Sequence, residues 1–178
     1  MKIIDGKEVS AYIKQKIKDE VATLSVRPGL AVILVGDDPA SHVYVNNKKK
    51  ACEFCGFYSK SYELDAATTQ DELLKLIDEL NVDDQIHGIL VQMPLPKHID
   101  ESAVIERIIP SKDVDAFNPV NVGKIMTGDF DFLPCTPAGV MELLKYYNNT
   151  KKAMKGMGRR GNRLGGGAMN RMMGQFMK

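Results

Sequence analysis

Residues 30–35, Leu-Ala-Val-Ile-Leu-Val, are an unbroken apolar run rich in β-branched side chains, and Gly36-Asp37-Asp38-Pro39 closes it with turn-forming residues. A short apolar run bounded by a turn is typical of a strand that is buried on both faces of a sheet. Because both faces of such a sheet must be covered, the run predicts an α/β domain with helices on each side.

The segments on either side of this strand alternate between helical and strand patterns. Residues 8–24 place apolar side chains three and four positions apart, which predicts an amphipathic helix. The same patterns predict helices at 40–55, 69–80, 101–108 and 136–146, and strands at 57–64 and 86–92. Their expected ends are a stop at Gly56, a capping box from Thr69 to Glu72, and a cap at Asp100. This order is typical of βαβ units, so the predicted fold class is α/β: a three-layer domain with a mostly parallel sheet flanked by helices.

The composition is that of an ordinary globular protein. The 178 residues carry a net charge of +1, with 44% hydrophobic and 26% charged residues, which excludes a chain disordered throughout. No apolar run approaches the roughly 20 residues of a membrane-spanning helix. Residues 1–7 also lack the apolar core of a secretory signal, so we expect a cytoplasmic protein that does not bind membranes.

The last 28 residues differ sharply from the rest. They hold eight of the 24 basic residues and no acidic one, which leaves 16 basic and 23 acidic residues, a net charge of −7, in the first 150. We therefore divide the chain into a domain at 1–149 and a basic, Gly/Met-rich tail at 150–178, irregular or partly helical. Two interpretations of the tail stay open. It is either the product of a shifted reading frame or a segment that binds RNA or an acidic surface weakly, and nucleic acid is the less favoured partner.

The cysteines and histidines do not indicate a metal site. Cys52 and Cys55 form a Cys-x-x-Cys, which fits a redox pair or half of a zinc site, but no second ligand pair has suitable spacing. We interpret both as reduced structural residues. Non-ligand roles are also expected for the scattered histidines, which are His42, His87 and His98.

Polar side chains that follow the predicted strands are candidates for a site, because ligands bind at the carboxyl ends of parallel strands. Tyr44 and Lys48 lie four residues apart on one helix face and form a sensible proton-handling pair. Lys48 also begins a run of three lysines, which is typical of a solvated face. Gln92 directly follows a buried apolar run, where it fixes a substrate, hydrogen-bonds Lys48, or merely leaves the sheet for solvent.

Two nearby loops add further candidates. Pro94 and Pro96 stiffen the loop after Gln92, which suits a preorganised binding site. Asp113 and Asp115 lie on one side of the chain if the segment is extended. Such a pair can bind the amine edge of a heterocycle or, less favourably, a metal, and the alternative is a capping or turn role for either residue.

Four motifs together resemble those of a known family. They are Ser41-x-x-Tyr44-Val45-x-x-Lys48, Gly88-Ile89-Leu90-Val91-Gln92-Met93-Pro94-Leu95-Pro96, Lys112-Asp113-Val114-Asp115 and Pro134-Cys135-Thr136-Pro137-x-Gly139. Their order and spacing, with Lys2-Ile3-Ile4-Asp5-Gly6-Lys7 before them, resemble the bifunctional methylenetetrahydrofolate dehydrogenase/methenyltetrahydrofolate cyclohydrolase family over about residues 1–149.

This resemblance implies an enzyme of one-carbon folate metabolism. Such an enzyme oxidises methylenetetrahydrofolate with NADP and hydrolyses the methenyl product to formyltetrahydrofolate. In the family, the residue matching Lys48 transfers protons in the hydrolysis, the one matching Gln92 tunes that lysine, and the one matching Tyr44 orients the folate. The residue matching Asp115 grips the pterin ring. The other substrate-binding positions that the resemblance implies are Ser41, Pro94 and Leu95.

The sequence departs from the family pattern in two places. Ala116 stands where the family usually has glycine, which predicts a slightly different loop. After residue 149 the family continues into a Rossmann-like domain that binds NADP and supports the homodimer, and residues 150–178 do not resemble it. Gly165-Gly166-Gly167 does not follow a strand and is not a dinucleotide motif. We therefore expect no NADP-binding residue here, no dehydrogenase activity, and a folate site that is open on one side; an inactive folate-binding remnant is the alternative.

Overall fold

The computed structural model of the chain describes residues 5–161, with side chains described over 5–152. Within that range the chain forms three strands and six helices. In chain order they are α1 (Gly6–Val21), β1 (Gly29–Val35), α2 (Pro39–Cys55), β2 (Tyr58–Leu64), α3 (Gln70–Val82), β3 (Gly88–Val91), α4 (Glu101–Arg107), α5 (Pro119–Thr127) and α6 (Cys135–Gly161). The chain divides into two compact units, and residues 10–137, which contain the whole sheet, form the larger one.

The three strands form one parallel sheet in the order β2-β1-β3. β1 pairs with β2 from Gly29 opposite Tyr58 to Val35 opposite Leu64, and it pairs with β3 on its other side from Leu30 to Ile33. The strand with the longest apolar run is therefore the central one, and its burial confirms the buried strand that its pattern predicted.

Alternate residues of β1 face opposite sides of the sheet, and each side is covered by helices. Ile33 belongs to a core cluster with Leu73 of α3 and Val104 of α4. Leu34 belongs to a second cluster with Val45 of α2. The two clusters confirm the predicted α/β class with a helix layer on each face of the sheet.

The predicted helix ends around α2, α3 and α4 are confirmed. Gly56 ends α2 in the left-handed conformation, with φ of 84°. Thr69 and Glu72 form the capping box that begins α3, and the Asp100 side chain caps α4. Each of these ends is specified by residues within one helical turn, which is why the sequence alone located them.

Two expectations about the later helices were wrong or incomplete. The pattern did not predict α5, although Asn118 caps it and Gly128 ends it. The last helix was expected over 136–146, but α6 runs from Cys135 to Gly161. The change in composition near residue 149 contains no proline, and the first glycine after it is Gly156, so nothing local ends the helix there.

The structure describes only the first part of the predicted tail. Residues 150–161 belong to α6, and the rest of the predicted tail, 162–178, lies outside the described residues. No helix within 5–161 is long and apolar enough to span a bilayer.

Candidate active site

The centre of the candidate site is a hydrogen bond between Lys48 and Gln92. Lys48 Nζ donates to Gln92 Oε1 over 2.9 Å, which confirms the contact that the sequence suggested. Gln92 is itself held at the end of β3, because its backbone N–H donates to the Ile33 carbonyl and its side-chain Nε2 donates to the Met93 carbonyl. The amide that holds the lysine is therefore fixed by the sheet.

The three consecutive lysines on α2 differ in exposure. Lys49 and Lys50 are exposed, as expected of a solvated face, whereas Lys48 is half-buried. Tyr44 lies one turn before Lys48 and is 62% exposed, so its ring is open to a ligand. The run of three lysines therefore predicted the solvent exposure of Lys49 and Lys50 correctly, but it gave no sign that Lys48 is half-buried.

The segment Lys112–Asp115 runs beside β3 and extends the sheet by one bridge. Ile89 N–H donates to the Lys112 carbonyl over 2.7 Å, and Ile89 and Asp113 form a parallel bridge. Lys112 Nζ donates to the carbonyls of Leu80 and Asp83 at the end of α3. Lys112 thus ties the segment to the end of α3. Its amine is occupied by protein carbonyls, which argues against a role in substrate binding.

The two aspartates of the segment occupy different environments. Asp113 is 3% exposed, and its Oδ2 accepts hydrogen bonds from the Asn118 backbone N–H and from Asn121 Nδ2. Asp113 therefore has the capping or turn role that the sequence left open for either aspartate. Asp115 is half-buried, and its carboxylate has no hydrogen-bond partner among residues 5–152.

The charge of Lys48 acts on Asp115 without a direct ion pair between the two side chains. Burial raises the pKa of the Asp115 carboxyl, the positive charge of Lys48 opposes that rise, and Asp113 adds to it.

A shallow pocket lies between β3 and the segment that contains Asp115. Its lining consists mainly of apolar side chains with the two aspartates: Ile89, Val91, Met93, Ile105, Ile108, Asp113, Asp115 and Phe117. Since Asp113 is occupied by protein donors, Asp115 is the acceptor left for a ligand. Its volume is about 10 Å³, which is room for about one water, and Lys48, Tyr44 and Gln92 do not line it.

Cys135 also lies at this site, and the sequence reasoning gave it no role. The residue is exposed, and desolvation by neighbouring atoms together with the Asp115 carboxylate raises the pKa of its thiol, while Lys48 opposes that rise. The residue stands in one of the four motifs, but no local pattern could show that its thiol lies near Lys48 and Asp115.

The remaining predicted substrate-binding residues differ in accessibility. Ser41 is buried, and its N–H donates to the Asp38 carboxylate that caps α2. Leu95 is buried in the core, and its N–H donates to Glu101. Pro94, which follows a cis peptide bond, is exposed. Substrate contacts by these three residues stay predictions. In the part of the chain with described side chains, no group of three or more metal-ligating residues is present.

Comparison with known proteins relates this geometry to one family. The model of the tetrahydrofolate dehydrogenase/cyclohydrolase catalytic domain matches residues 4–115. Bifunctional protein FolD of Acetivibrio thermocellus is 63% identical over 147 residues, which are 81% of this chain and 52% of that protein. FolD of Bacillus subtilis is 56% identical over 149 residues, 82% of this chain and 53% of that one.

Solved structures show the same relationship. The FolD methylenetetrahydrofolate dehydrogenase/cyclohydrolase of Campylobacter jejuni matches with a TM-score of 0.78 and 54% identity, over 81% of this chain and 52% of that one. The Trypanosoma brucei enzyme, solved with NADP cofactor and inhibitor, matches with a TM-score of 0.79 and 40% identity, over 83% and 52%. The chain thus spans about half the length of the relatives it matches.

Proposed function

The chain belongs to the tetrahydrofolate dehydrogenase/cyclohydrolase family, and from this membership we propose that its residues bind a folate and hydrolyse methenyltetrahydrofolate to formyltetrahydrofolate. The observation that carries the proposal is the hydrogen bond of Lys48 to Gln92, formed beside the half-buried Asp115. An amine held by a fixed amide and facing a carboxylate is an arrangement that can move protons on a bound heterocycle.

Folate binding is proposed to rest on Asp115 and Tyr44. The carboxylate of Asp115 has no protein donor among the described side chains, so it is available to accept hydrogen bonds from the amino-substituted edge of the pterin. The exposed ring of Tyr44 offers a flat surface for packing. Met93 and Phe117 supply apolar walls on the side of Asp115.

Lys48 is proposed as the proton-transfer group of the hydrolysis. Water adds to the methenyl carbon, and the bond from that carbon to one ring nitrogen then breaks to leave the formyl group on the other nitrogen. The Lys48 amine accepts one proton from the attacking water and returns it to the leaving nitrogen, and the second water proton is lost to solvent as the formyl C=O forms. Gln92 holds Nζ in place by accepting one of its N–H bonds. Such general acid–base catalysis contributes about 10²- to 10⁴-fold in rate.

The three helices that directly follow a strand, α2, α3 and α4, do not offer an open N-terminus to the phosphates of a dinucleotide. These phosphates bind free N–H groups at a helix N-terminus that follows a strand. Here the N-terminus of α2 is capped by Asp38, that of α3 by Thr69 with Glu72, and that of α4 by Asp100. At each of these N-termini a carboxylate, from Asp38, Glu72 or Asp100, would repel a phosphate. We therefore derive no hydride-transfer step from these residues, and we propose that oxidation with NADP needs residues outside them.

Replacing Lys48 tests the proposal. In the full chain, Lys48→Met is expected to slow the hydrolysis of methenyltetrahydrofolate, followed by the loss of its absorbance, at least about a hundredfold. Lys49→Met is the matched control, because Lys49 is the exposed neighbour on the same helix, and its turnover is expected to stay within about twofold of the parent chain. Both variants are checked by circular dichroism.

The outcomes of this experiment distinguish a hydrolytic site from a site that only binds folate. Equal turnover in the two lysine variants contradicts a role for Lys48. A parent chain that binds tetrahydrofolate but does not turn over methenyltetrahydrofolate is instead an inactive folate-binding remnant.

A further inference from the structure

We propose that Asp113, Asn118 and Asn121 form a buried clamp that fixes Asp115 in the folate pocket, which makes Asn121 a positioning residue for substrate binding. The clamp is defined by hydrogen bonds and burial, and only its ligand rests on the proposed function. Asp113 comes from the segment after α4, and Asn118 and Asn121 come from the cap and the first turn of α5, so the three residues join two parts of the fold around Asp115.

The Asp113 carboxylate is the centre of the clamp. Its Oδ2 accepts the Asn118 backbone N–H over 2.8 Å and Asn121 Nδ2 over 2.9 Å. Asp113 itself pairs with β3 through its bridge to Ile89. One carboxylate oxygen therefore fastens the start of α5 to the edge of the sheet, and hydrogen bonds to a charged acceptor are stronger than those between neutral groups.

The two asparagines extend the clamp to the end of α4. Asn118 Oδ1 accepts the Val120 N–H as the cap of α5, and its Nδ2 donates to the Ile108 carbonyl over 3.1 Å. Asn121 Nδ2 donates to the Pro110 carbonyl over 2.9 Å as well as to Asp113. Both asparagines are buried. Removing one partner from such a buried network leaves the other polar groups without hydrogen bonds, which is costly. Each of the three residues therefore depends on the other two for its position.

The loop between the fastened ends carries Asp115. Ala116, the next residue, has φ of 56°, a left-handed conformation that a residue with a Cβ rarely adopts. Its N–H donates to the Asp113 carbonyl over 3.2 Å, and its side chain is buried. A strained conformation persists only where the surroundings determine it, and here the clamp does so from both sides.

Asp115 depends on this loop for its position. Its carboxylate has no hydrogen bond to residues 5–152, so no direct contact orients it toward the pocket. It nevertheless lies half-buried and lines the pocket beside β3. The backbone of residues 113–118, closed by the clamp, is what holds the carboxylate there. A small displacement of this backbone would therefore weaken folate binding while leaving the Lys48–Gln92 hydrogen bond in place.

Steady-state kinetics of the full chain test this consequence with Asn121→Ala and a matched control. Asn81→Ala is the control, since Asn81 also uses its amide on backbone groups next to α4, donating to the Arg107 carbonyl and accepting the Ile109 N–H, outside the loop. Asn121→Ala is expected to raise KM for methenyltetrahydrofolate about tenfold and to change kcat less than about threefold. Asn81→Ala is expected to change KM less than about threefold. Simple loss of folded protein would lower apparent kcat and leave KM unchanged, and that result overturns the proposal.

A measurement without folate separates this proposal from the proposed function. Amide hydrogen exchange by NMR is expected to be at least about tenfold faster at Ala116 and Asn118 in Asn121→Ala than in Asn81→Ala. Equal exchange in the two variants overturns the clamp, whatever the kinetics show. If the parent chain gives no heat of binding with tetrahydrofolate, the proposed function fails, and the exchange comparison alone then decides whether the clamp holds the loop.

Asp113→Asn is the milder variant if Asn121→Ala does not fold. An asparagine at 113 keeps the shape and one oxygen acceptor but removes the negative charge. It is expected to raise KM about threefold and to speed exchange at Ala116 by a smaller factor than Asn121→Ala would. A folded Asp113→Asn chain with the KM and exchange rates of the parent overturns the proposal.

Discussion

At the scale of single residues, Asp113 and Asp115 have the same side chain and opposite surroundings. Asp113 is satisfied by two N–H donors from the protein, whereas Asp115 is half-buried and has a raised pKa because burial disfavours its charged form. The first residue shapes the loop, and the second has no hydrogen-bond donor from residues 5–152. A ligand that carries N–H groups supplies such donors, so the same burial that is unfavourable for the free protein favours binding.

The raised pKa of Asp115 predicts a stability difference that depends on pH. A carboxyl group whose pKa is raised by folding stabilises the fold when it is protonated, and this contribution is lost as the pH rises through the raised pKa. The variant Asp115→Asn cannot ionise at this position. Its stability relative to the parent is therefore expected to increase as the pH rises from below the ordinary value of 3.8 through the raised pKa, and then to level off.

Urea unfolding of the two chains across this pH range measures that difference. The other titrating groups are common to both proteins, so their effects largely cancel in the comparison. A stability difference that stays constant with pH would show that burial does not disfavour the Asp115 carboxylate.

Ala116 gives a second prediction at this scale. A left-handed conformation costs an alanine about 1 kcal/mol, which glycine avoids, but glycine also loses a buried methyl and has a more flexible unfolded state. Ala116→Gly is therefore expected to change the free energy of unfolding by less than about 1 kcal/mol. Ala116→Val is expected to be destabilised by more than about 2 kcal/mol, because a β-branched side chain fits neither the conformation nor the space. Chemical denaturation of both variants checks this, and a valine variant as stable as the parent would refute it.

At the scale of secondary structure elements, the capping box of α3 is a local device with a measurable contribution. The Thr69 hydroxyl accepts the Glu72 N–H, and the Glu72 carboxylate accepts the Thr69 N–H. Thr69→Ala is expected to cost about 1 kcal/mol in the free energy of unfolding. Thr68→Ala is the control, since Thr68 lies one residue outside the box, and a change of less than about 0.5 kcal/mol is expected there. Equal losses in urea melts would argue against the box.

The elements that the sequence predicted well are those with local causes. The apolar run of β1 and the end residues Gly56, Thr69 and Asp100 act within one strand or one turn, so one sequence contains the information. The predicted end of the last helix at residue 146 was wrong, because α6 continues to Gly161 and no proline or glycine stands between residues 147 and 155. The nine-residue helix α5 was missed, although Asn118 and Gly128 mark its ends, because its apolar pattern is short.

The candidate site was predictable to a similar extent. A hydrogen bond between Lys48 and Gln92 was one of the alternatives left open, since both residues follow strands whose carboxyl ends share one edge, and the structure shows that bond. The division of labour between Asp113 and Asp115, and the contributions of Cys135 and Asn121, depend on which segments pack together in space. No spacing along the chain carries that information. The substrate contacts of Ser41, Pro94 and Leu95 stay predictions.

At the scale of the molecule, every residue proposed for folate chemistry lies within residues 10–137. The proton-transfer pair, the carboxylate and its clamp are held by one sheet and by helices packed on it. The chain spans about half of its longer relatives, among them an enzyme solved with NADP, and the N-termini of the three helices that directly follow a strand are capped. Hydrolysis and hydride transfer are therefore expected to be separable, with hydrolysis alone supported by these residues.

The rate of methenyltetrahydrofolate hydrolysis by the purified 178-residue chain, measured with and without NADP, tests this claim most directly. We expect a rate that exceeds the buffer reaction, increases in proportion to the chain concentration and is the same in both conditions. A chain that hydrolyses no faster than buffer, or that does so only when NADP is present, would contradict the claim that these residues form a complete hydrolytic site.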